Sequence, residues 1–311
     1  MAASRRIGFA FHSSFLAHGT GPGHPERPER LTAICQHLQA VRLWDQLIPL
    51  SPPAAARDVI ELIHSAAYVR QVHEACQQGP VALDPDTMAS PGSWEAALRA
   101  VGAVTLAIDQ VVAGELQAAF CAVRPPGHHA LATRAMGFCL FNNVAIGARY
   151  AQQRHRLARI LIVDWDVHHG NGTQAVFFDD PSVLYFSTHQ YPFYPGTGHG
   201  EETGAGSILN VPLPVGAGDG ELLRAFNEVL RPRALAFQPD LVLISAGFDA
   251  HRDDPLAGLC VTEQGYGALT RVVREIAHAC CGGRLVSVLE GGYDLPALGR
   301  SVEAHLQVLL E

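Results

Sequence analysis

Along this chain, short runs of β-branched and apolar residues alternate with longer stretches whose apolar positions recur every three to four residues. The runs predict strands at Ile7 to Phe11, Ala118 to Val123, Ile160 to Val163, Val183 to Ser187, Leu241 to Ser245 and Leu285 to Leu289. The longer stretches predict helices that include Trp94 to Val112, Asn143 to Arg154, Leu222 to Phe237, Gly265 to Cys280 and Pro296 to Leu310. Alternation of this kind is the pattern of an α/β fold, a parallel sheet covered by helices on both faces. No Ser/Gly linker, charge block or repeat divides the chain, so a single domain over residues 1–311 is expected. Three Gly/Pro-rich stretches remain, His18 to Pro28, Gln78 to Ser93 and His189 to Gly218. Loops this long in a compact domain are usually functional, and they are expected to wall a substrate pocket.

Composition narrows the classes of function. Hydrophobic residues at 48% against charged residues at 17% fit a compact globular protein and exclude a mainly disordered one. The net charge of -8 lacks the basic footprint that direct nucleic-acid or anionic-membrane binding requires. All 22 basic residues are arginine, so no chemistry here uses a lysine of the chain itself. Cys35, Cys76, Cys121, Cys139 and Cys260 lie in apolar stretches without metal-type spacing and read as reduced, buried thiols, while Cys280 and Cys281 close a predicted helix. Met1 to Arg6 carries no apolar signal region, and no run approaches the roughly 18 apolar residues of a membrane span. A cytoplasmic chain with no membrane partner is expected. A homo-oligomer is compatible with everything above.

Polar clusters follow four of the predicted strands: Arg124-Pro125-Pro126-Gly127-His128-His129, Asp164 to Asn171, Phe248-Asp249-Ala250-His251 and Glu290-Gly291-Gly292-Tyr293. In a parallel sheet the carboxyl ends of the strands share one rim, where ligands bind, so the four clusters are expected to meet. Asp166 and His168 stand two apart on an extended segment and can face one point, and Asp249 offers a third ligand from a neighbouring strand end. Three protein ligands without cysteine, leaving a position open, are the arrangement of a catalytic zinc rather than a structural one. Taken alone, Asp164 and Asp166 would equally cap a helix and His168 would be a satisfied core histidine.

The clusters join His24-Pro25-Glu26-Arg27-Pro28-Glu29-Arg30-Leu31, Gly137-Phe138-Cys139-Leu140-Phe141-Asn142-Asn143, Pro195-Gly196-Thr197-Gly198 and Ser245-Ala246-Gly247-Phe248-Asp249 in one order. With them, nearly the whole chain resembles the arginase/deacetylase superfamily, specifically class II-like histone deacetylases and bacterial histone deacetylase-like amidohydrolases. The resemblance implies a mostly parallel sheet of about eight strands and one catalytic zinc held by Asp166, His168 and Asp249. It further implies that His128 and His129 flank the zinc-bound water and that Tyr293 faces them across the substrate carbonyl. Asp164 would stand behind His128 and Asn171 behind His129, making His128 the more cationic and His129 the general base. A structural potassium ion is implied beside Asp164, at the backbone of Asp166 and His168 and at the strand end Ser187 and Thr188.

Gly137, Phe138, Tyr194, Leu256 and Gly291 match positions that line the substrate channel. The implied reaction is hydrolysis of an N-acyl-lysine amide, with an acetylpolyamine or other small acylated amine as the alternative substrate. Leu256 stands where a polyamine-selective relative carries glutamate. Arginase chemistry would need carboxylates where this chain has Gly170 and His251, the latter read as an exposed loop residue or a rim group. A non-catalytic acyl-lysine-binding protein is the rival from another class, and iron could replace zinc.

Overall fold

The computed structural model describes residues 5–311; the first four residues of the Met1 to Arg6 start lie outside them. Its strands are β1 (Ile7–Ala10), β2 (Ile48–Leu50), β3 (Val81–Asp84), β4 (Thr87–Ala89), β5 (Ala118–Cys121), β6 (Ile160–Asp164), β7 (Val183–Gln190), β8 (Ile208–Leu213), β9 (Leu241–Ala246) and β10 (Leu285–Leu289). Its α-helices are α1 (Glu29–Ala40), α2 (Arg57–Ile60), α3 (Ala66–Gln78), α4 (Ser93–Val112), α5 (Asn143–His155), α6 (Asn171–Phe177), α7 (Asp219–Ala225), α8 (Arg231–Phe237), α9 (Glu263–Cys281) and α10 (Leu295–Leu310).

Eight strands form one sheet in the order β2-β1-β5-β10-β9-β6-β7-β8, and every pairing in it is parallel. All residues of β1, β5, β6, β7, β9 and β10 are buried, which is why these strands read as continuous apolar runs. Both faces of the sheet are covered: α4 packs on α5, while α1, α10 and α9 lie side by side. The six predicted strands are thus the six inner ones.

The two edge strands departed from the prediction. β2 has three residues and a central proline, and β8 carries Pro212; both are only partly buried, so neither shows a long apolar run. Two stretches read as loops also hold structure. Gln78 to Ser93 folds into the antiparallel β3–β4 hairpin, and His189 to Gly218 contains β8. The helix predicted from Leu222 to Phe237 is α7 and α8 joined through a π-helical turn, Phe226–Leu230. Cys260 is exposed and Cys35 only half-buried, against the buried thiols expected, because the Cys260 side chain leaves an irregular segment instead of a core-facing strand; all seven cysteines are free. No helix among the described residues is long and apolar enough to cross a membrane.

β5, β10, β9 and β6 are consecutive in the sheet. Each of the four polar clusters follows the carboxyl end of one of them, so the topology delivers all four to a single crevice.

Candidate active site

Past the end of β6 the chain turns so that Asp166 and His168 face Asp249, which follows β9. One donor atom from each of the three lies within 4.8 Å of the others. His168 Nδ1 is 3.2 Å from both Asp166 Oδ1 and Asp249 Oδ2. The two carboxylates are held from behind: Gly291 N donates to Asp166 Oδ2 at 2.8 Å, and Val167 N donates to Asp249 Oδ1 at 2.9 Å. Two glycines admit them, since a Cβ at Gly247 would lie 2.1 Å from Asp166 Oδ2 and one at Gly291 2.0 Å from Asp249 Oδ2. Two buried carboxylates and one imidazole converging this tightly suit a divalent cation, and burial without one is costly. Burial alone would lower the His168 imidazole, but Asp166 and Asp249 raise it to about 10.

The adjacent imidazoles of His128 and His129 lie 4.0 Å apart, centroid to centroid, and differ in their partners. His128 Nδ1 is 3.1 Å from Asp164 Oδ2, which also accepts from Tyr185 Oη at 3.0 Å. Burial opposes its charge, but Asp166, Asp164 and Glu290 raise His128 to about 10. His129 Nδ1 is 2.8 Å from Asn171 Oδ1. Burial first, then the neighbouring His128 and His168, lower it well below the ordinary value. A carboxylate partner therefore goes with the cationic ring and an amide partner with the neutral one.

These rings lie at the floor of a pocket of ≈ 190 Å³ whose walls include Gly137, Phe138, Tyr194, Leu256 and Tyr293. The backbone of Gly137 crosses the His129 ring so closely that a Cβ would lie 2.4 Å from its Cδ2, and φ there is +55°. Phe138 continues the turn at φ 68°, a cost that few non-glycine residues bear, and its N–H donates to Thr87 Oγ1 at 3.0 Å. The Tyr194 ring meets the edge of His129 at 5.2 Å, and Phe138 meets Tyr293 at 5.9 Å. Of the three long stretches, Gln78 to Ser93 supplies Asp86 to the wall and His189 to Gly218 supplies Tyr194. His18 to Pro28 stands behind it, with His24 against Phe138.

Ser187 is paired in register with Asp164 across β6 and β7, and the buried Thr188 Oγ1 has no hydrogen-bond partner. Two positions bear on arginase chemistry. A Cβ on Gly170 would lie 2.3 Å from Asp164 Oδ2 and 2.5 Å from Tyr185 Oη, so no carboxylate fits there. His251, expected exposed or at the rim, is buried at 1%, because its segment pairs with Val261 and its Nε2 lies 3.5 Å from Glu263.

Three supporting residues were given no role from the sequence, although Glu290 and Arg30 stand within its motifs. Glu290 Oε2 accepts from Gly127 N at 2.7 Å and His128 N at 3.1 Å, fixing the two-histidine turn. Arg30 donates to the carbonyls of Glu290 and Gly292, and its guanidinium lies 4.9 Å over the Tyr293 ring. Asp254 accepts the Tyr293 N–H at 2.6 Å; burial, then Asp249, push its carboxyl up to about 7. Their side chains act through backbone groups, which spacing does not report.

With this geometry, the comparison with known proteins is decisive: residues 24–309 match the model of the histone deacetylase domain. The chain belongs to the histone deacetylase family. These are hydrolases of amide bonds. It is 42% identical over 308 residues to histone deacetylase 10, chloroplastic, of Oryza sativa subsp. japonica, covering 92% of this chain and 70% of that one. It is also 42% identical to the human polyamine deacetylase HDAC10, covering 92% of this chain but 44% of the relative. Among solved structures, the HD domain of HDA15 superposes with a TM-score of 0.95 at 39% identity, covering 99% of this chain and 89% of that one.

Proposed function

We propose that this family member hydrolyses the amide of N-acyl-lysine in peptides or proteins, with zinc at Asp166, His168 and Asp249. The convergence of the three ligands, the unequal histidine pair and Tyr293 at the floor of one narrow channel carries the reading. Bound there, zinc would supply a Lewis acid for the amide carbonyl and lower the pKa of a bound water toward about 7. The remaining steps belong to the chain. With Nδ1–H donating to Asn171 Oδ1, His129 leaves its Nε2 lone pair free to take a proton and return it to the departing amine. His128 keeps its proton against Asp164 and holds positive charge beside the reacting carbonyl. The Tyr293 hydroxyl donates to the oxygen on which charge develops. Phe138 and Tyr194 enclose the methylene stem of the side chain and exclude water. Potassium at Asp164, Ser187 and Thr188, with the backbone of Asp166 and His168, would steady the strand ends under the site.

A second reading, an acylated polyamine as substrate, draws on the Asp86 carboxylate in the channel wall and on the polyamine deacetylase relative. The apolar Leu256 at the rim favours the lysine reading. Turnover of an acetyl-lysine peptide, a longer acyl-lysine peptide and an acetylpolyamine, measured side by side, tests the choice. The acetyl-lysine peptide is expected to have the highest kcat/KM; a higher value for the polyamine would reverse the order of the two readings.

A further inference from the structure

The turn that carries Tyr293 has almost no side chains of its own, since Gly291 and Gly292 precede it, the latter at φ 122°. Its backbone is held instead by four outside groups. Gly291 N donates to Asp166, Gly291 O accepts from Phe248 N at 3.0 Å, and Gly292 O accepts from Arg30 at 2.6 Å. The fourth is Asp254, a buried carboxylate whose Oδ2 accepts from Tyr293 N at 2.6 Å and from Asp294 N at 3.3 Å. Its other oxygen, Oδ1, accepts from Leu256 N at 3.0 Å.

We infer that Asp254 is a positioning residue: one carboxylate ties the amide of Tyr293 to the amide of the rim residue Leu256 and so fixes the tyrosine hydroxyl relative to the channel. The inference rests on the proposed role of Tyr293 and goes beyond it. Three backbone N–H groups converge on this one carboxyl, and of the four contacts only this one holds the amide of Tyr293 itself. The neighbouring Asp294 caps α10 through Ala297 N, so the far side of the turn is rigid and displacement would fall on Tyr293.

A double-mutant cycle tests this. Asp254→Ala is expected to lower kcat about 10- to 100-fold with KM within about twofold, and bound metal unchanged. In a Tyr293→Phe background the same change should cost no more than about twofold, because its route to the reaction is already gone. Asp254→Asn, which keeps one acceptor oxygen, takes its place in the cycle if the alanine variant is not recovered folded. A full second loss of kcat in the Tyr293→Phe background would overturn the positioning role while leaving that of Tyr293 intact. Wild-type kcat in Tyr293→Phe alone would remove the role of Tyr293, and the inference with it.

Discussion

In the proposed reaction His128 and His129 divide their work through the groups on their far sides. Asp164 keeps a proton on one ring; Asn171 orients the other without charging it. Replacing His129 with alanine is therefore expected to lower kcat by about 10²–10⁴-fold while bound metal is retained. Near-normal turnover of His129→Ala beside an inactive His128→Ala, read in one kinetic series, would exchange the two roles. Most of these residues were legible because each stands directly after an apolar run and in a Gly/Pro-punctuated cluster. The roles of Glu290 and Asp254 were not, because they act on the backbone amides of Gly127, His128 and Tyr293, and these partners appear only once the strands are side by side.

At the scale of elements, the strands legible in the sequence are those buried on both faces. β2 and β8, at the edges, hide among proline and half-polar residues. Helix contacts depend on details that periodicity does not carry. Gly102, in the interior of α4, faces the carbonyl of Pro53, and a Cβ there would lie 1.9 Å from that oxygen. Alanine in a helix interior ordinarily gains about 1 kcal/mol over glycine. Here Gly102→Ala is expected to destabilise instead, by about 1–3 kcal/mol, with kcat unaltered because α4 pushes on the 52–55 segment and not on the site. A raised denaturation midpoint would show that the contact yields without cost.

The whole molecule buries an unusual set of titrating groups. His18, His64, His189 and His305 are lowered chiefly by burial, to about 4, 4, 4 and 3. Glu26 is held at about 2, where burial is overcome by Arg124, His18 and Arg30. Every one of these five groups is lowered on folding, so the unfolded chain binds the extra protons and stability falls as the pH is lowered. For the histidines the loss begins near pH 6.5 and runs to about 4; for Glu26 it runs from about 4.5 to about 2. Each histidine withdraws on the order of 1–2 kcal/mol by pH 5. Denaturation midpoints measured from pH 8 to pH 5 should decline below 6.5, less than the histidines alone would give because Glu290 and Asp254, raised to about 7 by burial, bind protons in the folded chain over the same range; a rising profile would contradict the neutral buried histidines.

In the proposed reaction a metal ion held by Asp166, His168 and Asp249 drives amide hydrolysis. Turnover of an acetyl-lysine peptide by chelator-stripped protein, with zinc added back to the wild type and to Asp249→Ala, measures it most directly. No turnover is expected after stripping, with recovery in the wild type at one zinc per chain and at least about 100-fold less in Asp249→Ala at the same zinc concentration. Undiminished turnover by the stripped protein, or equal recovery in the variant, would contradict that role of the metal.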